Sequence, residues 1–298
     1  MENNILVTVR VVSYNAAKTI LETLESIKAQ TYQNIELIVS DDCSKDETVQ
    51  IARRWIDKNK ERFVRTVLLT VPKNTGVCAN MNRSLKASRG VWIKGIAADD
   101  ILLPNCIEDV MAFVKQNPEA QFVTTLQRVY NETFEEKNYE NTTGYISEKL
   151  VQKDARAQLM EVAFSHNICA PATMCSRALL ENIGGYDDRY GYEDHPLYIS
   201  MLEHGYKIFF LPKETVGYRI HNSTMHVGGK LFNSKFLELS KRFRKERCFP
   251  FYTWRQKLSL RLLWTYQDTL DLMHLNRATK FNSWLFHKIH ALTLFIAR

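Results

Sequence analysis

This sequence of 298 residues has no run of ~18 consecutive apolar residues, no internal repeat and no low-complexity stretch. The first absence argues against a membrane-spanning helix, and the other two leave a chain of which most should fold. The six cysteines (Cys43, Cys78, Cys106, Cys169, Cys175 and Cys248) form no CxxC or Cys/His spacing. A zinc site or a disulfide framework is therefore not expected, and the thiols read as reduced, as in the cytosol. Met1-Glu2-Asn3-Asn4 lacks the basic region and cleavage site of a signal peptide, so the sequons at Asn131 and Asn141 carry no weight. The expected location is cytoplasmic.

Of the residues present, 45% are hydrophobic, enough for one large domain with an appendage. The net charge of +7 is unevenly placed. Residues 241–298 hold 12 Lys/Arg against three acids, and the remainder holds 28 against 30. The basicity belongs to the tail, and the chemistry is to be sought elsewhere.

The first hundred residues alternate short apolar runs with helical spacing. Ile5 to Ser13 reads as a buried strand, and Asn15 can cap a helix carrying Ile20, Leu21, Leu24 and Ile27 on one face. A second strand covers Ile35 to Val39, and Ser44 with Glu47 can form a capping box before Val49, Ala52, Trp55 and Ile56. Strands at Val67 to Val71 and Val91 to Ile96 enclose a helix from Val77 to Ala87. Pro104 suits the first turn of a helix through Lys115. This order predicts a parallel sheet covered on both faces, with ligands beyond the carboxyl ends of the strands. From Gln121 the chain is less regular. Residues 128–149 read as a polar loop, Pro196 to His204 as a helix, Ile208 to Leu211 as a short strand, and the chain from Lys230 as helical.

Three pairs or short runs at element ends carry candidate chemistry. Asp99-Asp100 suits a hard cation bridging a diphosphate, or the ordinary preference for acids near a helix start. Asp41-Asp42 can accept from a uracil imide or from ribose hydroxyls, or simply make a turn with Ser44. Glu193-Asp194, before an apolar helix, suits a general base facing a cleft, or a charged first turn. In Tyr218-Arg219-Ile220-His221, an extended segment puts Arg219 and His221 on one face. They can contact diphosphate oxygens, or His221 can ligate a metal. Asn74-Thr75-Gly76 can turn near a nucleotide, while Lys73 and Arg83 either approach phosphates or are solvated.

Together these signals are more specific than any one. Val12-Ser13-Tyr14-Asn15, Gln30-Thr31-Tyr32, Val39-Ser40-Asp41-Asp42-Cys43-Ser44, Asn74-Thr75-Gly76 and Asp99-Asp100 with Pro104 resemble the family 2 glycosyltransferases of the GT-A fold, of the bacterial capsule and O-antigen type. Gly184-Gly185-Tyr186-Asp187, Glu193-Asp194 and Tyr218-Arg219-Ile220-His221 look like that family's acceptor-domain landmarks. The resemblance spans residues 5–225. It implies an α/β, Rossmann-like nucleotide-sugar-binding domain with a mixed, mainly parallel sheet and a helical C-terminal extension. It implies inverting transfer of a hexose from a UDP-sugar, with Mg²⁺ or Mn²⁺, onto a glycan or a polyprenyl-diphosphate-linked sugar during synthesis of a bacterial surface polysaccharide. Asp194 matches the base and Glu193 orients it. The expected nucleotide-binding set is Ser13, Tyr14, Asn15, Asp41, Asp42, Gly76, Asn82, Asp99 and Arg219. The expected metal set is Asp99, Asp100 and His221. Ala97 departs from the family's Asp-x-Asp motif, which puts tight metal binding in doubt. Cys43 stands where Gly is common, which suggests a turn without positive φ.

The expected boundaries are a catalytic domain over 1–228, divided into a nucleotide half (1–120) and an acceptor half (121–228), and a basic, aromatic-rich helical extension over 229–298. That extension suits a peripheral contact on the inner face of the cytoplasmic membrane. Two other readings share the same sheet. A nucleotidyltransferase wants a Gly-rich basic loop after the first strand, where Ser13-Tyr14-Asn15-Ala16-Ala17 stands instead. A catalytically impaired sugar-nucleotide-binding domain is favoured by Ala97 and disfavoured by Asp194 and His221. No nucleic-acid-binding motif accompanies the basic tail.

Overall fold

Strands rich in Val and Ile can bury both faces only if helices cover the sheet. The computed structural model, which describes residues 5–220 and 229–297, has that arrangement. The first half runs β1 (Val7–Ser13), α1 (Ile20–Lys28), β2 (Ile35–Asp41), α2 (Thr48–Asn59), β3 (Arg65–Thr70), α3 (Val77–Ala87), β4 (Trp92–Ala97), β5 (Ile101–Leu102) and α4 (Cys106–Gln116). Then come β6 (Phe122–Asn131), β7 (Tyr139–Thr143), α5 (Glu148–Val151), α6 (Ala155–Phe164), β8 (Thr173–Ser176), α7 (Arg177–Asn182), α8 (Asp194–Glu203) and β9 (Phe209–Ile220). The helices α9 (Ser234–Phe243), α10 (Trp254–Leu272) and α11 (Lys280–Ala297) complete the described chain. The chain divides into two compact units, Met1–Gln158 with Asn167–Ile220, and Leu159–His166 with His221–Arg298.

In the first unit the sheet order is β3-β2-β1-β4-β8-β6-β9-β5, with β7 paired to β6. β3, β2, β1 and β4 run parallel to one another, and β8 runs antiparallel to both β4 and β6. The mixed, mainly parallel sheet agrees with the expectation from sequence. On one face of β1, Val7, Val9 and Val11 join a core with Ile20, Leu24 and Ile27 of α1 and Ile107 and Val110 of α4. That spacing on α1 is the 3.6-residue period of a buried stripe. The order reverses about β1, with β2 and β3 on one side and β4 on the other. The crevice that such a reversal creates lies at the carboxyl ends of β1 and β4. Register sets Ser13 beside Asp41, and Val12 beside Ala97.

Two sequence expectations fail here. Residues 128–149 are not a loop: β6 continues to Asn131, and β7 pairs antiparallel with it from Thr143 to Tyr139. An edge strand needs no apolar face, so β7 (Tyr-Glu-Asn-Thr-Thr) shows no strand pattern. The short strand at 208–211 is instead the twelve-residue β9. Pro212 lies inside it. It falls where the register jumps from Thr124 opposite Phe210 to Leu126 opposite Glu214, a bulge that needs no N–H from it.

In the second unit, α10 begins with a capping box. Thr253 Oγ1 accepts from Gln256 N at 3.2 Å, and Gln256 Oε1 accepts from Thr253 N at 2.9 Å. Ser259 of α10 donates to Thr293 O of α11 at 2.6 Å, and Phe249 stacks on Trp264 with centroids 5.7 Å apart. Tyr252 Oη donates to Ala163 O at 2.6 Å.

Candidate active site

The carboxyl ends of the parallel strands are laced together by short polar side chains. Ser13 Oγ donates to Asp41 Oδ2 at 3.0 Å, and Ser44 donates to Asp41 from both its backbone N (2.8 Å) and its hydroxyl. Asn15 N donates to Ser44 Oγ, and Lys45 N donates to Asn15 Oδ1, both at 2.8 Å. Asn15 thus ties two loops together instead of capping α1, which starts five residues later at Ile20. Ser44 is likewise not the cap of α2. Asp46 Oδ1 accepts from Thr48 N at 3.1 Å, and Glu47 makes no capping bond. The capping-box expectation fails because Asp41 claims the serine. Cys43 has φ +69°, so the turn that was expected to avoid positive φ adopts it without glycine.

Asp41 and Asp42 are 1% and 3% exposed. Asp42 accepts from Thr75 N (2.8 Å), Gly76 N (2.7 Å), Thr75 Oγ1 (2.6 Å) and Arg83 (3.2 Å). Burial pushes its carboxyl up, but these donors outweigh burial and hold it below the usual carboxylate range. Asp42 therefore fixes the Asn74-Thr75-Gly76 turn that starts α3, and Gly76 supplies the φ of +89° the turn needs. Above these buried acids Tyr14 is 49% exposed, an open aromatic face at the end of β1.

The Asp99-Asp100 turn hangs between α1 and β9. Thr19 and Thr23 donate to Ala98 O (2.8 Å) and Asp100 O (2.7 Å). Arg219 reaches the turn from β9. Its backbone N donates to Asp100 Oδ1 (3.0 Å), and its guanidinium donates to Asp99 O (2.8 Å), Glu132 O (2.5 Å) and Glu22. The guanidinium also lies 4.3 Å from the Phe134 ring centroid. All three guanidinium nitrogens are thus committed to the protein. Asp100 is buried. Burial, with Asp99 adding to it, pushes its carboxyl well above the usual range. Asp99 is half-buried and Ala97 supplies no ligand.

Among the described residues no group of three His, Cys, Asp or Glu side chains could hold a metal ion. His221 lies outside the described residues. The donor set still fits a hard cation that binds together with a diphosphate, because Mg²⁺ takes one or two carboxylates and fills its remaining positions with phosphate oxygens and water.

Glu193 and Asp194 stand at the start of α8. Asp194 Oδ1 accepts from His195 N at 2.6 Å in the first turn of that helix. Burial and then the Asp194 charge push the Glu193 carboxyl up to about 7, with Arg10 opposing. Around them, burial and the charges of Glu193, Asp188, Asp187 and Asp194 push the Cys78 thiol up to about 12. The charge of Asp194 acts on Cys169, and Tyr218 feels Asp100, Asp99 and Cys169.

Asn82 belongs elsewhere. Its amide donates to Tyr186 O and accepts from Tyr186 N, both at 2.8 Å, so it clamps the Gly184-Gly185-Tyr186 turn. Sequence reasoning missed Arg10 and Cys169. Arg10 was visible as a charge inside a valine run, whereas Cys169 carries no such signal.

Comparison with known proteins follows this geometry. The model of a family described as "Glycosyl transferase family 2" matches residues 8–184. A UDP-Glc:alpha-D-GlcNAc-diphosphoundecaprenol beta-1,3-glucosyltransferase, WfaP of Escherichia coli, is 27% identical over 237 residues, covering 78% of this chain and 82% of that protein. S. aureus TarS 1-349 in complex with UDP-GlcNAc superposes with a TM-score of 0.59 at 16% identity, over 98% of this chain and 72% of that one. Against a further structure of S. aureus TarS the chain spans 38% of that protein's length. The mannosyltransferase PcManGT from Pyrobaculum calidifontis, in complex with GDP-Man and Mn²⁺, gives 0.56 at 21% identity, over 74% of this chain and 58% of that one. At these identities the superpositions speak to the fold alone.

Proposed function

This chain belongs to glycosyl transferase family 2, and we propose that it transfers a hexose, with inversion, from a UDP-sugar to a glycan or polyprenyl-diphosphate-linked acceptor in bacterial surface polysaccharide synthesis. The UDP-linked donor and lipid-linked acceptor are supported by the name of the E. coli relative, which matches over most of both chains. The observation that carries the mechanism is the placement of Asp194 at the start of α8, where its charge acts on Cys169, which in turn acts on Tyr218 together with Asp99 and Asp100.

In this reading the uracil and ribose lie over the ends of β1 and β2, with Tyr14 against the base. Asp41 and Asp42 act mainly by fixing the Ser13–Asn15 and Asn74–Gly76 loops beneath them. An acceptor hydroxyl attacks the anomeric carbon from the face opposite the diphosphate. The carbon–oxygen bond to the diphosphate breaks with its electron pair, UDP departs, and the hydroxyl proton passes to the Asp194 carboxylate. Glu193 beside it holds or releases a proton near neutrality and so sets the charge around the base. A divalent cation held by Asp99 would neutralise the departing diphosphate. Arg219 keeps that turn in place.

The test is Asp194→Asn. Turnover, read as UDP release in a screen of UDP-sugars, falls ~10²–10⁴-fold, the span of a general base, while calorimetric UDP affinity holds. Near-normal turnover in this variant removes Asp194 from the mechanism.

A further inference from the structure

Arg10 is a guanidinium set in the middle of a core strand. It lies 2% exposed on β1, on the face opposite the Val7, Val9, Val11 stripe. Taking such a charge out of water is costly unless it is paired and fully hydrogen-bonded. Arg10 is neither. It donates to Met81 O at 3.1 Å and to Tyr186 Oη, its Nε has no partner, and among the described residues no carboxylate stands within ion-pair distance of it. A methionine or leucine would fill the same space without that cost, so packing does not explain the residue.

Its contacts point in one direction. The guanidinium lies 4.7 Å from the centroid of the Tyr186 ring and bonds its hydroxyl. Tyr186 is held from its other side by both amide atoms of Asn82. Beyond this doubly anchored residue the chain turns through the short helical turn Asp188–Tyr190 into Glu193 and Asp194. Arg10 is also the cation that acts on Glu193.

We propose that Arg10 is a positioning residue for the Glu193–Asp194 pair, fixing Tyr186 by contact and supplying a positive charge to their partly buried site. The groups around Glu193 are Asp194 and Tyr198 on α8, Tyr186, Asp187 and Asp188 on the preceding segment, Cys78 on α3, and Arg10 on β1. Cys175 on β8 and Lys94 on β4 extend the same buried network behind Arg10. Within that set the acids repel one another and Arg10 offsets them. This inference rests on the proposed role of Asp194, but the decisive measurement does not need transfer to occur.

That measurement is the titration of the Glu193 carboxyl, followed by carbon NMR in the full chain without donor and assigned with Glu193→Gln. In Arg10→Met the titration moves upward by about 1 pH, the size of a nearby charge in a site of intermediate polarity. In Arg10→Lys it stays near the wild-type value. In the transfer assay Arg10→Met lowers kcat about 10-fold with the KM for donor unchanged. A titration that stays in place in folded Arg10→Met overturns the proposal, whatever the activity. A titration that shifts as proposed in Arg10→Met, beside wild-type protein that transfers no sugar from any donor, would overturn the functional reading and leave this inference standing. Should Arg10→Met not fold, Arg10→Gln is read in the same way. If neither neutral variant folds, Tyr186→Phe decides: it keeps the charge and the ring but removes the hydroxyl that Arg10 bonds, and an unchanged kcat then overturns the positioning role.

Discussion

At the residue scale, Glu193 and Asp99 make the sharpest predictions. The Glu193 carboxyl sits at about 7 in the folded chain against an ordinary 4.5. The folded state therefore holds this proton more tightly than the unfolded one. Its stabilising contribution is full below about 4.5, declines as pH rises, and is lost above about 7. Glu193→Gln keeps the hydrogen-bonding shape and never ionises. Thermal unfolding at about pH 5 and about pH 8 should show a smaller loss of stability with pH in Glu193→Gln than in the wild type. Identical losses would mean that Glu193 does not titrate in this window. Asp99 and Asp100 are adjacent but differ in setting. Turnover should need a divalent cation and stop in EDTA. Asp99→Asn should raise the metal concentration required ~10-fold or more. Asp100→Asn, altering a buried acceptor of the Arg219 N–H, should lower the melting temperature with that requirement unchanged. Full activity in chelator would hand charge neutralisation to the protein's own cations. The acidic pairs were legible from residue type and position at strand ends. Their division of labour was not, because it depends on partners distant in sequence, such as Arg219 for Asp100 and Thr75 for Asp42. Cys43 shows the limit clearly. A propensity rule excluded positive φ there, yet Asn15, Ser44 and Lys45 knit the two loops so tightly that a non-glycine residue is held in that region.

At the scale of elements, the helices and the parallel strands were the most readable parts. α3 spans Val77–Ala87 as its spacing predicted, α1 buries Ile20, Leu24 and Ile27 of its expected face but leaves Leu21 48% exposed, and α2 buries Ala52, Trp55 and Ile56 as expected. These elements are specified locally by an apolar face. β7 and most of β9 are specified by the strand they pair with, so their own sequences are polar or interrupted by Pro212. The Gly184-Gly185-Tyr186 turn was legible as a turn, but not why it needs two glycines. Both have φ +81°, which penalises any side chain. They differ in what a Cβ would meet. At Gly184 nothing lies within 4 Å, whereas at Gly185 the new atom would stand 2.5 Å from Asn82 Oδ1. Gly184→Ala should therefore cost ~1 kcal/mol, the backbone term alone. Gly185→Ala should cost ~2–4 kcal/mol, because it also breaks the clamp on Tyr186 N. Urea unfolding of the two variants checks this directly. Equal costs would mean that the Asn82 clamp yields easily and does not fix the turn.

At the scale of the whole molecule, charge and exposed apolar surface both concentrate at the C-terminal end. Among the described residues no helix is long and apolar enough to cross a membrane. On α10, Trp254, Leu258 and Leu262 are exposed at intervals of four residues, and on α11 Phe281, Trp284, Leu292 and Phe295 share one stripe with Lys288. Trp254 is 70% exposed and Phe295 75%. Apolar stripes on helices ordinarily face a core. These face outward, in a segment with 12 Lys/Arg against three acids. A helix of this kind suits the headgroup region of a membrane, where each nearby cation adds ~1 kcal/mol on an anionic surface. Burying each large apolar side chain adds ~1.5–3 kcal/mol. A peripheral contact would also bring the proposed lipid-linked acceptor to the enzyme. Truncation is a poor test, since removing the tail strips Ala163 of its bond from Tyr252. Replacing Phe281, Trp284 and Phe295 together by serine leaves in place the hydrogen bonds that Thr293, Asn282 and His287 make. The full chain should co-sediment with vesicles containing anionic lipid, and added salt should weaken this in proportion to the electrostatic share. The triple variant should lose ~10²-fold or more in partitioning, since even partial burial of three such side chains exceeds 2.7 kcal/mol, or about two decades, and UDP binding should persist. Sedimentation unchanged by the three serines would mean that this stripe does not enter the membrane, and would leave the basic residues alone to account for any attachment.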